Sequence, residues 1–369
     1  MKLPTIKLGI TLAGALALVV LPAHVSANAI AYTVTILGEG NAFGINNSGQ
    51  VAGQGYPAGS DPHAVRWTGT IAEDLGTLGG NGSIGLGINA SGQIAGRSRI
   101  GGNTEQHAVR WTGTTPTDLG TLGGDFSEGN GINASGQIAG RAHFAGADHA
   151  VRWTGTTPEV LGNLGGGSSS WGIAINDSGQ VAGWSAKVFG GQEQAVRWTG
   201  TTPTDLGTLG GTFSSGWAIN DSGQVAGYAA TTNNSAIHAV RWTGTTPTDL
   251  GTLGGFNSQG FGINAFGDVI GMSMIAGDPF NGAANYAFLY TGGTMYHLLD
   301  LLVPGSGVTN LRIGGYSNGI NDLGQIAAFS TINGRTYALR LDPVVPEPAT
   351  AALLLVGGAL LALRRRSFV

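Results

Sequence analysis

The chain has no cysteine, and only 10% of its 369 residues are charged, against about 25% in an average globular protein. The first absence excludes a disulfide framework and any thiolate chemistry. The second, with a formal net charge of −4, leaves no basic footprint, so nucleic acid is excluded as an expected partner. Also missing are paired carboxylates placed for acid–base work, a nucleophile elbow and a phosphate-cradling glycine loop. No catalytic residue, metal ligand set or cofactor is therefore expected.

What the chain has in quantity is glycine, 67 residues. Val, Ile, Leu and Trp recur at fixed positions between the glycines, which points to tight turns rather than disorder. The phrase Ile-Asn-x-x-Gly-Gln-Ile/Val-Ala-Gly, or a close variant, returns with its asparagine at Asn46, Asn89, Asn133, Asn176, Asn220, Asn264 and Asn321. The first six are 43 or 44 residues apart and the last follows after 57. A period of this size, filled with short strands, belongs to a propeller or a solenoid.

One period predicts four strands: 171–176, 180–184, 195–199 and 205–209, the last closed by Gly210-Gly211. This is the blade plan of an all-β propeller. The ends of the array separate propeller from solenoid. Residues 33–38 match a fourth strand, while the last repeat stops at a third strand, 337–341. Pairing those two segments closes a ring and removes exposed edges, whereas a solenoid would need polar caps. The expectation is seven four-stranded blades closed by the N-terminal strand, with six or eight as the alternatives.

The third strand reads His-Ala-Val-Arg-Trp at His63, His107, His149 and His238, with Gln194 once in place of His. Equivalent histidines in a ring are too far apart to share an ion, and no second ligand is read at fixed spacing from each, so they are taken as structural. Trp67, Trp111, Trp153, Trp198 and Trp242 are expected to pack between blades. Arg66, Arg110, Arg197 and Arg241 precede Asp74, Asp118, Asp205 and Asp249 by eight residues and are expected to pair across a hairpin, although a row of arginines could instead bind acidic polysaccharide. Asn-x-Ser at Asn89, Asn133, Asn176 and Asn220 matches a glycosylation acceptor but reads better as turn chemistry. Glu128 stands as an isolated acid on an inner strand.

This repeat resembles the HAF repeat of bacterial extracellular proteins, with Val where that family has Phe, over residues 32–341. The resemblance implies an extracellular repeat protein and carries over no catalytic residue. The propeller is accordingly assigned to residues 28–342.

The termini carry address signals. Lys2 and Lys7 precede an apolar run from Leu8 to Leu21, and Val25-Ser26-Ala27 suits signal-peptidase cleavage, giving a signal peptide over 1–27; a retained anchor is the alternative. At the other end Pro346-Glu347-Pro348 is followed by an apolar stretch, 349–363, and Arg364-Arg365-Arg366. Fifteen helical residues reach about 22 Å, short of a ~30 Å hydrocarbon core, but the arginines can hold the end at the cytoplasmic headgroups. The segment 343–369 resembles the PEP-CTERM sorting tail of Gram-negative bacteria. That resemblance implies export through the inner membrane, a short transmembrane helix, processing by an exosortase, and display or release at the surface; a simple anchor is the alternative.

The loop after the second strand varies between repeats while the other turns do not, so a ligand is expected on that face. The function expected is a non-catalytic binding or matrix protein, with exopolysaccharide as the candidate partner. A propeller glycosidase or lyase and a purely structural role are the alternatives.

Overall fold

The computed structural model describes residues 30–57, 61–188, 191–277, 286–315 and 318–344. The expected signal peptide and the sorting residues Pro346, Glu347, Pro348, Arg364, Arg365 and Arg366 lie outside the described residues. No helix among the described residues is long and apolar enough to cross a membrane.

The chain is an all-β propeller. Three four-stranded antiparallel sheets stand alone, two more blades touch through one parallel pair, Ile237–Asn257, and a six-stranded sheet joins the last blade to the first. We number the blades 1 to 7 from the N-terminus. Blade 4 shows the plan: Ser170–Ile175 innermost, then Val181–Ala186, Glu193–Thr199 and Thr202–Asp205. The fourth strand thus starts right after the two-residue turn Gly200-Thr201, earlier than the expected 205–209. Leu206 instead leaves the sheet to become core, and Gly210-Gly211 open the first strand of blade 5, Gly210–Ile219.

Ring closure follows from the strand Tyr32–Ile45, which serves two blades. Its first part is the fourth strand of blade 7, pairing Val34 with Leu341, Thr35 with Arg340 and Ile36 with Leu339; its second part is the first strand of blade 1, pairing Asn41 with Gln54. Blade 7 is irregular at its inner edge, where Arg312 and Ile320 touch the next strand through the bridges Arg312–Phe329 and Ile320–Ile326. Most of the longer final spacing falls between Tyr290 and Asn321, on the way into that edge, and the rest in blade 6 before Tyr286.

Each repeat element has a packing reason. The glycine of Gln-Val/Ile-Ala-Gly lies opposite a β-bulge in the first strand, and a Cβ at Gly183 would come within 1.9 Å of the Trp171 carbonyl oxygen. The same approach is 1.9 Å at Gly96 and Gly140. Gly183→Ala should therefore push two strands apart and destabilise the fold by about 2–3 kcal/mol or more, read as a lower denaturation midpoint with unchanged slope. Trp67, Trp111, Trp153, Trp198 and Trp242 are at most 1% exposed. Each packs against a neighbouring blade; Trp111 of blade 2, for example, sits with Ala52, Ala64 and Leu75 of blade 1.

The repeat asparagine ties the inner strands into a ring. Asn176 accepts from the Gln180 amide at 2.9 Å and from the Ser178 hydroxyl at 2.8 Å, while its own amide donates to Gln180 Oε1 at 3.0 Å and to the carbonyl of Asn220 in the next blade at 3.1 Å. Asn46, Asn89, Asn133 and Asn220 donate likewise to the following blade, and Asn321 donates to Asn46 at 2.9 Å, joining the last blade to the first. Between blades 6 and 7 the Ala265 amide donates to Asp322 Oδ1 at 2.8 Å instead.

Candidate functional site at the variable-loop rim

The two ends of the ring differ in how much of their chemistry is already used. At the constant-turn end a cavity of about 200 Å3 is lined by the repeat isoleucines, among them Ile45, Ile132 and Ile175, and by the asparagine ring. Its polar side chains serve neighbouring backbones: Asp177 Oδ1 accepts from the Ala134 amide at 2.8 Å, and Asp221 Oδ1 from the Asp177 amide at 3.0 Å. That end reads as the ring's own fastening.

At the opposite end one lateral row breaks the repeat. It pairs the fifth residue before each repeat asparagine with the eighth after it: Asn41 with Gln54, Ile84 with Arg97, Glu128 with Arg141, Trp171 with Trp184, Ser215 with Tyr228, and Gln259 with Met272. The third strand offers the same partner each time, Ala64, Ala108, Ala150, Ala195, Ala239 or Ala287. A small, constant alanine behind each large side chain leaves it room to lie between blades. The blades thus differ along this level of a rigid scaffold, and again at the third residue before the asparagine, where Trp217 and Phe261 stand.

The row is linked from blade to blade. Glu128 is 1% exposed at its side chain, and its carboxylate accepts from Arg97 Nη1 at 2.5 Å and from Arg141 Nε at 3.0 Å. Arg141 also donates to Asp148 Oδ2 at 2.6 Å, and its guanidinium lies 4.1 Å from the Trp171 ring centre and 4.8 Å from that of Phe126. Beyond it the rings continue: Trp171 is 6.3 Å from Trp184 and from Trp217, and Trp217 is 5.4 Å from Phe261. These spacings lie in the range of favourable tilted and edge-on contacts. Trp171, Trp184, Trp217 and Tyr228 all keep part of their surface in solvent.

Tyr228 donates to Glu193 Oε1 at 2.6 Å. Burial pushes the Glu193 carboxyl above its ordinary value, and the hydrogen bond from Tyr228 pulls it partly back. Burial first, and then the Glu193 charge, push the Tyr228 hydroxyl up. A carboxyl raised in the folded state holds its proton to higher pH than in the unfolded chain. Its contribution to stability is fully present below the ordinary carboxylate range and is lost as pH rises through the raised value.

Two sequence expectations are corrected. The hairpins pair Arg66 with Glu73 and Val65 with Asp74, so Arg66 and Asp74 lie on opposite faces of the sheet. A two-residue turn sets this register, and a slip of one residue reverses the face. Arg66 binds Glu73 at 2.5 Å, Arg152 binds Glu159 at 2.5 Å, and Arg66, Arg152, Arg197 and Arg241 each donate to a turn carbonyl in the following blade. Three of the four aspartates belong to histidines, His63–Asp74 at 3.0 Å, His107–Asp118 at 2.9 Å and His238–Asp249 at 2.8 Å, while Asp205, whose blade has Gln194 in place of histidine, pairs with Lys187 at 2.8 Å. A carboxylate does therefore stand at fixed spacing, 11 residues, from each of those histidines. Among the described residues no three His, Asp or Glu side chains form a group that could hold a metal.

Glu128, the isolated acid of the inner strands, lies between two arginines. Arg97, Arg141, Trp184, Trp217, Tyr228 and Glu193 were not read as site residues. The available signal was columnar: across the first six repeats, the fifth residue before the asparagine differs every time. Asn89, Asn133, Asn176 and Asn220, with the five repeat tryptophans, lie in turns and blade interfaces away from this rim.

No family model matches the chain, and no curated protein sequence matches it. Solved structures that it resembles include TolB from Acinetobacter baumannii, 12% identical over 80% of this chain and 63% of that one, with a TM-score of 0.44. The β-propeller domain of the Trilobed protease from Pyrococcus furiosus is 10% identical over 70% of this chain and 98% of that domain, with a TM-score of 0.38. Dipeptidyl peptidase 4 from Porphyromonas gingivalis is 8% identical over 84% and 53%, with a TM-score of 0.40. The chain spans less than two thirds of the first of these. At such values the similarity says nothing of activity, and the propeller rests on the sheet topology itself.

Proposed function

We propose that this chain is an exported, non-catalytic binding propeller that engages a saccharide polymer at its variable-loop rim. The supporting observation is the row in which the blades cease to be alike, where tryptophan, tyrosine, arginine, asparagine and glutamine converge at partly exposed positions. Sugar rings present apolar C–H faces to aromatic planes and hydroxyls to planar polar groups, so this mixture suits them. The exopolysaccharide of a Gram-negative cell surface is the candidate ligand. In the same proposal, Pro346-Glu347-Pro348, the apolar stretch and Arg364 to Arg366 are the sorting tail that an exosortase processes.

A glycan array probed with the exported protein tests the binding reading, and a blank array across neutral and acidic polymers rejects it. Mass spectrometry of the exported chain tests the sorting reading; a C-terminus intact through Val369 in a host with a working exosortase rejects that. One observation favours a second reading, a glycosidase or lyase: the Glu193 carboxyl, raised by burial and held by Tyr228, has the character of a general acid. Depolymerisation of an array-positive glycan that Glu193→Gln abolishes would select it.

A further inference from the structure

Both ends of the described chain leave from the constant-turn face. The Val344 amide donates to the Ala31 carbonyl at 2.7 Å, and the last strand ends at Pro343, beside the turn tip at Gly324. Only residues 345–348 separate Val344 from the apolar stretch that begins at 349. Fully extended, that connection reaches at most about 17 Å. Whatever holds the apolar stretch holds this face within the same distance.

The face is apolar on one side only. The third residue of the first turn is serine in blades 1 to 5, but Phe266 in blade 6 and Leu323 in blade 7, which are 48% and 61% exposed. The first residue of the fourth strand is threonine in blades 2 to 6, but Ile71 in blade 1, 74% exposed. These departures fall on three consecutive blades, 6, 7 and 1, and the chain leaves from the middle one. The acids in that sector's turns are hydrogen-bonded: Asp322 gives one oxygen to the Ala265 amide and the other to Asn47 Nδ2 at 2.8 Å, and Asp268, where the other repeats have glutamine, accepts from Asn264 Nδ2 at 3.0 Å.

We propose that the sector formed by Phe266, Leu323 and Ile71 docks on the lipid headgroup surface of the membrane that holds the C-terminal apolar stretch. The inference rests on the reading of that stretch as a membrane segment. The short tether brings the sector to the bilayer, and one aromatic and two aliphatic side chains on separate turn tips suit an interface better than a groove-forming partner. Docking tilts the ring so that blades 6, 7 and 1 touch lipid and the variable-loop rim faces away, open to polymer.

The absence of cysteine makes the test direct. The full chain carrying a nitroxide at Ala265→Cys (blade 6) or Ala134→Cys (blade 3), the same turn position on opposite sides, is reconstituted in phosphatidylcholine vesicles and floated. The label at position 265 should be shielded from a water-soluble nickel relaxant and the label at 134 should not. Phe266→Ser with Leu323→Ser and Ile71→Thr should erase that difference while flotation persists. Equal shielding at both positions in floated protein overturns the docking sector and leaves the anchor standing. Failure to float overturns both.

Discussion

Removing residues 28–38 should abolish the soluble monomer. These residues carry the part of Tyr32–Ile45 that forms the outer strand of blade 7, and with it Tyr32 and Leu37, which are 3% and 4% exposed. The strand Arg335–Pro343 would keep its inner partner, Ile326–Ile332, but lose its outer one and present a bare edge beside apolar core. An unpaired edge of that kind templates association between chains. The loss also unclips the ring, because the same strand continues into blade 1. Size-exclusion chromatography should show aggregate in place of monomer, and a monomer with an unchanged melting temperature would contradict the closure.

Glu128→Ala should be the most damaging single change at the rim. It removes the one carboxylate shared by Arg97 and Arg141 from a site that is 1% exposed. Breaking a fully buried charge pair costs about 3–5 kcal/mol. The two arginines keep 31% and 22% of their side-chain surface in solvent, so water takes up part of the loss. The expected cost is about 2–3 kcal/mol. Glu159→Ala, which removes the 47% exposed carboxylate from its pair with Arg152 and leaves the Arg152 bond to the Gly179 carbonyl in place, should cost only about 0–1 kcal/mol. Equal losses for the two variants in urea denaturation would remove the distinction.

The ring was legible in the sequence because its information is periodic. A repeated asparagine, a repeated glycine and a leading segment matching the missing strand are visible without coordinates, and the observed closure of Val34 on Leu341 follows from them. The rim was less legible because its contacts cross the period. Arg97 meets Glu128 from 31 residues away only because consecutive blades stack. The arginine–aspartate expectation failed for a different reason. A count of eight residues ignores that strand faces alternate, so the turn length decides whether Asp74 meets Arg66 or His63, and it met His63. The fourth strand was misplaced because the apolar Leu206 and Leu209 lie in the connection between blades, where they pack as core while the partly exposed segment Thr202–Asp205 pairs.

The reading of the rim as a binding surface turns on Trp184, which carries no part of the ring's fastening and stands beside Trp171 in the row where the blades differ. The deciding measurement is a calorimetric titration of an array-positive saccharide into the wild-type chain, Trp184→Ala, and a control on the constant-turn face, Ser178→Ala. An affinity loss of about tenfold or more for Trp184→Ala, equivalent to ~1.4 kcal/mol, with Ser178→Ala unchanged, is the predicted result. Equal affinity for Trp184→Ala and wild type would contradict the account.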